Sequence, residues 1–216
     1  MDKETVKKAL EELKKSNKRN FKQTIDLIII LKNLDLKKPE EQVDFFHQMH
    51  SNFGKKTKLC ALVGPELYAQ AKELFDTAIL VDDFPQYAKD KKVIKKLAKE
   101  HDFFVAQATI MPQIATTFGR TLGPRGKMPN PKSGCVVPPN ANLKPLVAKL
   151  ENMVRISARL VPVVQLAVGK EDSKEEDVIE NVLTIYDGVV HHLPSGINNV
   201  RKVLLKFTMS KPVKID

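Results

Sequence analysis

The chain is short of cysteine and of long hydrophobic runs, and each shortage closes a class of readings. Its two cysteines, Cys60 and Cys135, show no CxxC spacing, so neither a disulfide framework nor a zinc site is expected. No apolar run approaches the roughly 20 residues that span a bilayer, so no membrane partner is expected. The opening MDKETVKKAL carries acids and no hydrophobic block, unlike a signal peptide, which leaves the cytoplasm as the expected location.

Catalytic and cofactor patterns are missing as well. Gly123-Pro124-Arg125-Gly126-Lys127 suggests a phosphate loop, but that motif needs Gly at Thr121 and a hydroxyl at Met128. Gly64 lacks the surrounding G-x-G-x-x-G of a dinucleotide site. His191-His192 has no acidic or Cys partner at ligand spacing and reads as a solvated pair on a strand or turn. Asp82-Asp83 reads as a helix N-cap after a strand. The expectation is no catalytic residues, no metal, no cofactor and no enzyme.

What is present is positive charge. Lys and Arg number 36 against 26 Asp and Glu in 216 residues, a formal net charge of +10. Such a surplus points to a polyanionic partner, nucleic acid first and an anionic membrane surface second. With 42% hydrophobic residues the chain can build one large or two small cores.

Val6, Ala9, Leu10 and Leu13 share one face of a helix over 2–15, and a basic stretch then leads through Phe21 into a buried strand at 25–31. From residue 59 the pattern alternates. Strands are expected at 59–64, 77–83 and 103–108, with helices at 65–75 and 89–100 between them, which means βαβ units around a parallel sheet. Residues 112–140 hold six prolines and four glycines and read as loops, before a helix at 141–153. A strand is expected at 163–170 and another at 200–209. Ser173 and Glu176 form a capping box ahead of a helix striped by Val178, Val182, Ile185 and Val189. Neither terminal segment closes a core alone. The fold class is therefore α/β in two domains: a discontinuous one from 1–62 and 155–216, and an α/β block inserted at 63–154.

Three stretches resemble the ribosomal protein L1 family of the large subunit, in its archaeal type. They are Lys18-Arg19-Asn20-Phe21-Lys22-Gln23-Thr24, then Leu122-Gly123-Pro124-Arg125-Gly126-Lys127-Met128-Pro129-Asn130-Pro131, and finally Lys206-Phe207-Thr208-Met209. With Arg159, Pro162, Gln165, Gly169 and Lys170 between them, the resemblance runs the whole chain in order. It implies a split β-α-β (α+β) first domain and a Rossmann-like, three-layer second domain that binds no nucleotide. It implies large-subunit ribosomal RNA as partner, a place on the mobile side stalk, help in releasing exit-site tRNA, and repression through the protein's own mRNA.

The RNA-binding residues so expected are Arg19, Phe21, Thr24, Gln165, Gly169, Lys170, Lys202, Thr208, Met209 and Ser210. An aromatic face, short hydroxyls, an adaptable Met and cations suit RNA, which is recognised by shape, unstacked bases and 2′-hydroxyls. Ser210 departs from the family turn, which has Gly there, as His50-Ser51-Asn52 and Leu160-Val161 depart elsewhere. The Gly123–Met128 loop reads equally as a rigid turn or a contact, and the lysine-rich helix at 89–100 as a solvated face. Other readings are an extra-ribosomal RNA-binding regulator with the same fold, and an enzyme acting on a phosphorylated substrate.

Overall fold

The computed structural model describes residues 1–15, 19–51, 54 and 56–215. Lys18 and Asn52, both in stretches singled out above, lie outside the described residues. Helix α1 (Lys3–Lys15) and strands β1 (Thr24–Leu31) and β2 (Val43–Gln48) come first. Strand β3 (Leu59–Val63), helix α2 (Pro65–Leu74), strand β4 (Thr77–Leu80), helices α3 (Phe84–Lys89) and α4 (Lys91–Glu100) and strand β5 (Phe103–Gln107) follow. Next are α5 (Met111–Leu122), β6 (Val136–Val137) and α6 (Leu143–Glu151). The chain ends with β7 (Met153–Ala158), β8 (Val163–Lys170), α7 (Glu175–His192), β9 (Val200–Phe207) and β10 (Val213–Lys214).

Two compact units result, Met1–Lys55 with Asn152–Asp216, and Lys56–Glu151. The boundaries expected at 62/63 and 154/155 would cut through strands. β3 pairs with β4 and β5 and so falls wholly in the second unit, while β7 pairs with β2 and falls wholly in the first.

The first unit is built on an antiparallel sheet of order β10-β9-β1-β8. β8, α7 and β9 form a split β-α-β unit, with β1 filling the gap between the two strands. Alternation along β1 buries Ile25, Leu27, Ile29 and Leu31 against Val6, Leu10 and Leu13 of α1 and Val178, Val182, Ile185 and Val189 of α7. The opposite face carries Thr24, Asp26, Ile28 and Ile30 and stays partly exposed. A separate ladder of β2 with β7 completes the unit. In the second unit a parallel sheet of order β4-β3-β5-β6 has every residue of β3 buried, as strands covered on both faces require. Cys60, Leu62, Phe104 and Ala106 pack under α3, α4 and α5, while α2 and α6 pack together as another layer.

The structure corrects several expectations. Residues 112–140 are not all loop, since α5 occupies the first third. Proline is no obstacle here: Pro112 sits in the first turn, where a missing N–H is harmless, and Ile114, Phe118 and Leu122 make a buried i, i+4, i+8 stripe. The strand expected at 77–83 stops at Leu80, and a 3-10 turn over Val81–Asp83 follows. Asp83 holds the N-cap position of α3 without a side-chain cap; the capping aspartate is Asp90, which accepts from the Lys92 N–H at 2.8 Å and separates α3 from α4. The Ser173/Glu176 capping box does not form, because Ser173 Oγ accepts from the Lys170 N–H at 3.0 Å and turns the chain out of β8 instead. His191 and His192 lie in the last turn of α7, where the His192 ring stacks on Phe45 at 3.7 Å. Strands β2, β7 and β10 were not anticipated.

Candidate nucleic-acid interface

Strand register brings most of the expected residues to one end of the antiparallel sheet in the first unit. Thr24 is paired with Lys170 of β8. On its other side the Thr208 N–H donates to the Thr24 carbonyl at 3.1 Å, and the Thr24 N–H donates to Thr208 Oγ1 at 3.2 Å. Lys170 at the end of β8, Thr24 at the start of β1 and Thr208 just past β9 thus form one row. Just beyond that row Phe21 and Met209 are 52% and 60% exposed; Leu160, Val161 and Ile197 of the same unit are exposed as well, so it is the grouping with Thr24, Thr208 and Lys170 that marks this end. Arg19 is exposed in the same lead-in to β1.

Buried Gln23 fixes this end. Its side-chain Oε1 accepts from the Met209 N–H at 3.2 Å, its own N–H donates to Glu171 at 3.3 Å, and its carbonyl accepts from the Glu171 N–H at 2.9 Å. The turn carrying Met209 is therefore tied to the lead-in carrying Phe21. Ser210 locks the turn from inside, accepting from the Phe207 N–H at 2.9 Å, while its own N–H donates to the Phe207 carbonyl at 3.1 Å. Among the described residues Asn33 is the non-glycine with a positive φ, so Ser210 is not in the left-handed region that would call for glycine.

The remaining expected residues lie elsewhere. Gln165 is opposite Ile28 and Lys202 opposite Ile30, so they sit down the partly exposed face, roughly 14 and 20 Å from the Thr24 row at about 3.4 Å per residue. Gly169 is buried and looks the other way. A Cβ there would come 2.8 Å from the Val178 side chain, so this glycine lets α7 close on β8. Sequence reading missed three participants. Asp26 lies between Lys206 and Ala167 on the partly exposed face, its carboxyl pushed up by burial and held back by the Lys206 charge. Gly54, at φ +82°, lies under the aliphatic stem of Lys170, where a Cβ would meet Lys170 carbons at 2.9 Å. Gln23 belongs to the Lys18–Thr24 motif, but a Gln before a strand carries no sequence signal of the clamp.

The electrostatics are those of a cationic surface with few buried charges. Lys22 pairs with Asp172 at 2.6 Å; that bond and the Asp172 charge raise the Lys22 pKa, and the same bond and the Lys22 charge lower that of Asp172. Beside the turn, Glu12, Leu13, Lys15, Arg19, Met209, Ser210, Lys211 and Val213 line a cavity of about 410 Å³. Its lining mixes apolar Leu13, Met209 and Val213 with the cations Lys15, Arg19 and Lys211 and the acid Glu12. In the second unit the Gly123–Met128 loop has a structural task, since Lys127 Nζ donates to the Ala98 and His101 carbonyls at 2.9 and 2.6 Å and caps the C-terminus of α4. Among the described residues no group of His, Cys, Asp and Glu could hold a metal ion, and no helix is long and apolar enough to cross a membrane.

Comparison with known proteins places this arrangement in context. The profile of the Ribosomal protein L1p/L10e family matches residues 13–211. The large ribosomal subunit protein uL1 of Methanothermococcus thermolithotrophicus is 41% identical over the whole of both chains. That of Methanocaldococcus jannaschii is 37% identical over all of this chain and 96% of its own. The Nanoarchaeum equitans protein of the same name is 41% identical over 97% of each.

Proposed function

The chain belongs to the ribosomal protein L1p/L10e family, and from that premise we propose that it is a structural component of the large ribosomal subunit whose first unit binds large-subunit ribosomal RNA. The family is one of ribosomal proteins, not of enzymes. The observation that carries the RNA reading is the grouping of Phe21, Thr24, Lys170, Thr208 and Met209 at one end of a sheet. Two exposed apolar side chains stand beside hydroxyls and a lysine there, in a turn clamped by Gln23 and Ser210. Such a surface stacks on or packs against unpaired bases and riboses, and a pre-set turn loses little entropy on binding.

On the ribosome, in the cytoplasm, the protein forms the mobile side stalk, assists release of deacylated tRNA from the exit site, and represses translation by binding its own mRNA through the same sheet end. Crosslinking of the purified protein to total RNA, followed by mapping, tests the assignment. Crosslinks from Phe21 and Met209 to one folded region of large-subunit ribosomal RNA are expected, and cofractionation with large subunits should survive a high-salt wash. Crosslinks scattered over unrelated RNA would reject the reading.

A further inference from the structure

The proposed ribosomal RNA site leaves most of the positive charge unused. Residues 56–151 hold fifteen Lys and Arg against nine Asp and Glu, so more than half of the chain's surplus of ten lies in the second unit. Six of those cations, Lys89, Lys91, Lys92, Lys95, Lys96 and Lys99, fall in the end of α3 and in α4, and all are exposed. Lys96 meets Glu100 at 3.9 Å; among the described residues the other five have no acidic partner within ion-pair distance.

This stripe opposes the stability of its own helix. Lys91 with Lys95, Lys92 with Lys96, and Lys95 with Lys99 are like charges four residues apart, each destabilising a helix by roughly 0.2–0.5 kcal/mol. Lys91 and Lys92 also stand at the positive end of the helix dipole. The helix is nevertheless held firmly. Ile94 and Ala98 are buried in the core, Asp90 caps the start, and Lys127 caps the end. The result is a rigid rod about 15 Å long that presents five lysines and one glutamate to solvent.

We propose that the lysine face of α4 is a second nucleic-acid surface, one that tracks the phosphate backbone of an RNA duplex without reading its sequence. A face of lysines with no aromatic, hydroxyl or amide side chain contributes point charges and lacks the stacking and forked hydrogen bonding by which bases are told apart. It therefore binds a second RNA segment while the clamped turn of the first unit holds its specific site. The surface is independent of that first site, and the two fail separately.

The test uses the full chain and two probes, an arbitrary 20-base-pair RNA duplex and the large-subunit ribosomal RNA fragment. Each is titrated by fluorescence anisotropy across a salt series. Replacing Lys91, Lys92, Lys95, Lys96 and Lys99 with Gln should weaken duplex binding at low salt at least tenfold. The slope of log affinity on log salt should become shallower by about 2 or more, since each duplex phosphate contact contributes roughly 0.9. Binding of the ribosomal fragment should change less than threefold, and Phe21→Ala should show the reverse pattern. Gln is nearly as good a helix former as Lys and removes the repulsion, so the variant should melt no lower than the parent. If circular dichroism shows that it does, the triple change at Lys92, Lys95 and Lys99 is read instead. Unchanged duplex binding overturns the proposal, as does an equal loss for both RNAs. Displacement of the duplex by phosphatidylglycerol vesicles through these same lysines would also overturn it, by assigning the face to a membrane.

Discussion

Phe21 carries the first test at the scale of single residues. It is half exposed at the mouth of β1 and contributes little to the core, so Phe21→Ala should leave the thermal midpoint within a degree or two. The same change should weaken ribosomal RNA binding by about 1–3 kcal/mol, the worth of one lost stack. Thr208→Ala acts differently, because its hydroxyl also accepts from the Thr24 N–H, and a modest stability loss should accompany weaker binding. Equal affinities for the parent and Phe21→Ala would show that the aromatic face is not used. His47 gives the pH test. It sits on β2 against Gly188 of α7, with Nε2 buried and unpartnered. Burial first, then the His50 and His192 charges, hold its pKa below 6.5. The unfolded chain protonates this histidine near 6.5 and the folded one only lower, so between the two the unfolded state binds more protons. Stability should therefore fall as pH drops below about 6.5. Urea midpoints at about pH 7.5 and 5.5 check this, and His47→Phe should flatten the difference; an equal fall in the variant would clear His47 of the effect.

Helices and strands with a strong period were legible from sequence, and those without one were not. The four-residue stripe of α7 and the apolar run of β1 are long, and structure and reading agree on them. β2 and β7 owe their place to pairing with each other across the chain, and β10 is a two-residue strand laid back on β9. β2 meets β7 more than a hundred residues on, which no local pattern announces. The α5 stripe was present in the sequence but masked by neighbouring Pro and Gly. At the candidate site, residue types were legible while directions were not. Gly169 looks like a contact in a motif, yet its missing Cβ serves the close approach of α7. Gly169→Ala should accordingly destabilise the fold by about 1–3 kcal/mol through overpacking against Val178, lowering the melting temperature with little direct change at the RNA face. Gln23→Leu should do the converse. Losing the acceptor for the Met209 N–H frees the turn, so RNA affinity should drop several-fold more than the midpoint in urea would suggest. A Gly169→Ala protein as stable as the parent would mean that α7 has room that the geometry denies it.

At the scale of the whole molecule, the account rests on a first unit made from both ends of the chain and able to bind ribosomal RNA by itself. The two crossings are adjacent, because Gln48 pairs with Met153 and the Met49 N–H donates to the Asn152 carbonyl at 2.8 Å. A short Gly/Ser link can therefore replace residues 56–151, and loop length matters little, at about 0.6 kcal/mol per doubling. The core around β1, α1 and α7 should remain intact in the shortened chain, since its buried residues all come from the two retained segments. The most direct measurement is a filter-binding titration of this shortened chain against the large-subunit ribosomal RNA fragment, with far-ultraviolet circular dichroism as the control for folding. A folded protein that binds within about tenfold of the full chain is the predicted result, a difference of about 1.4 kcal/mol. An unfolded chain, or a folded one that has lost specific binding, would contradict the account.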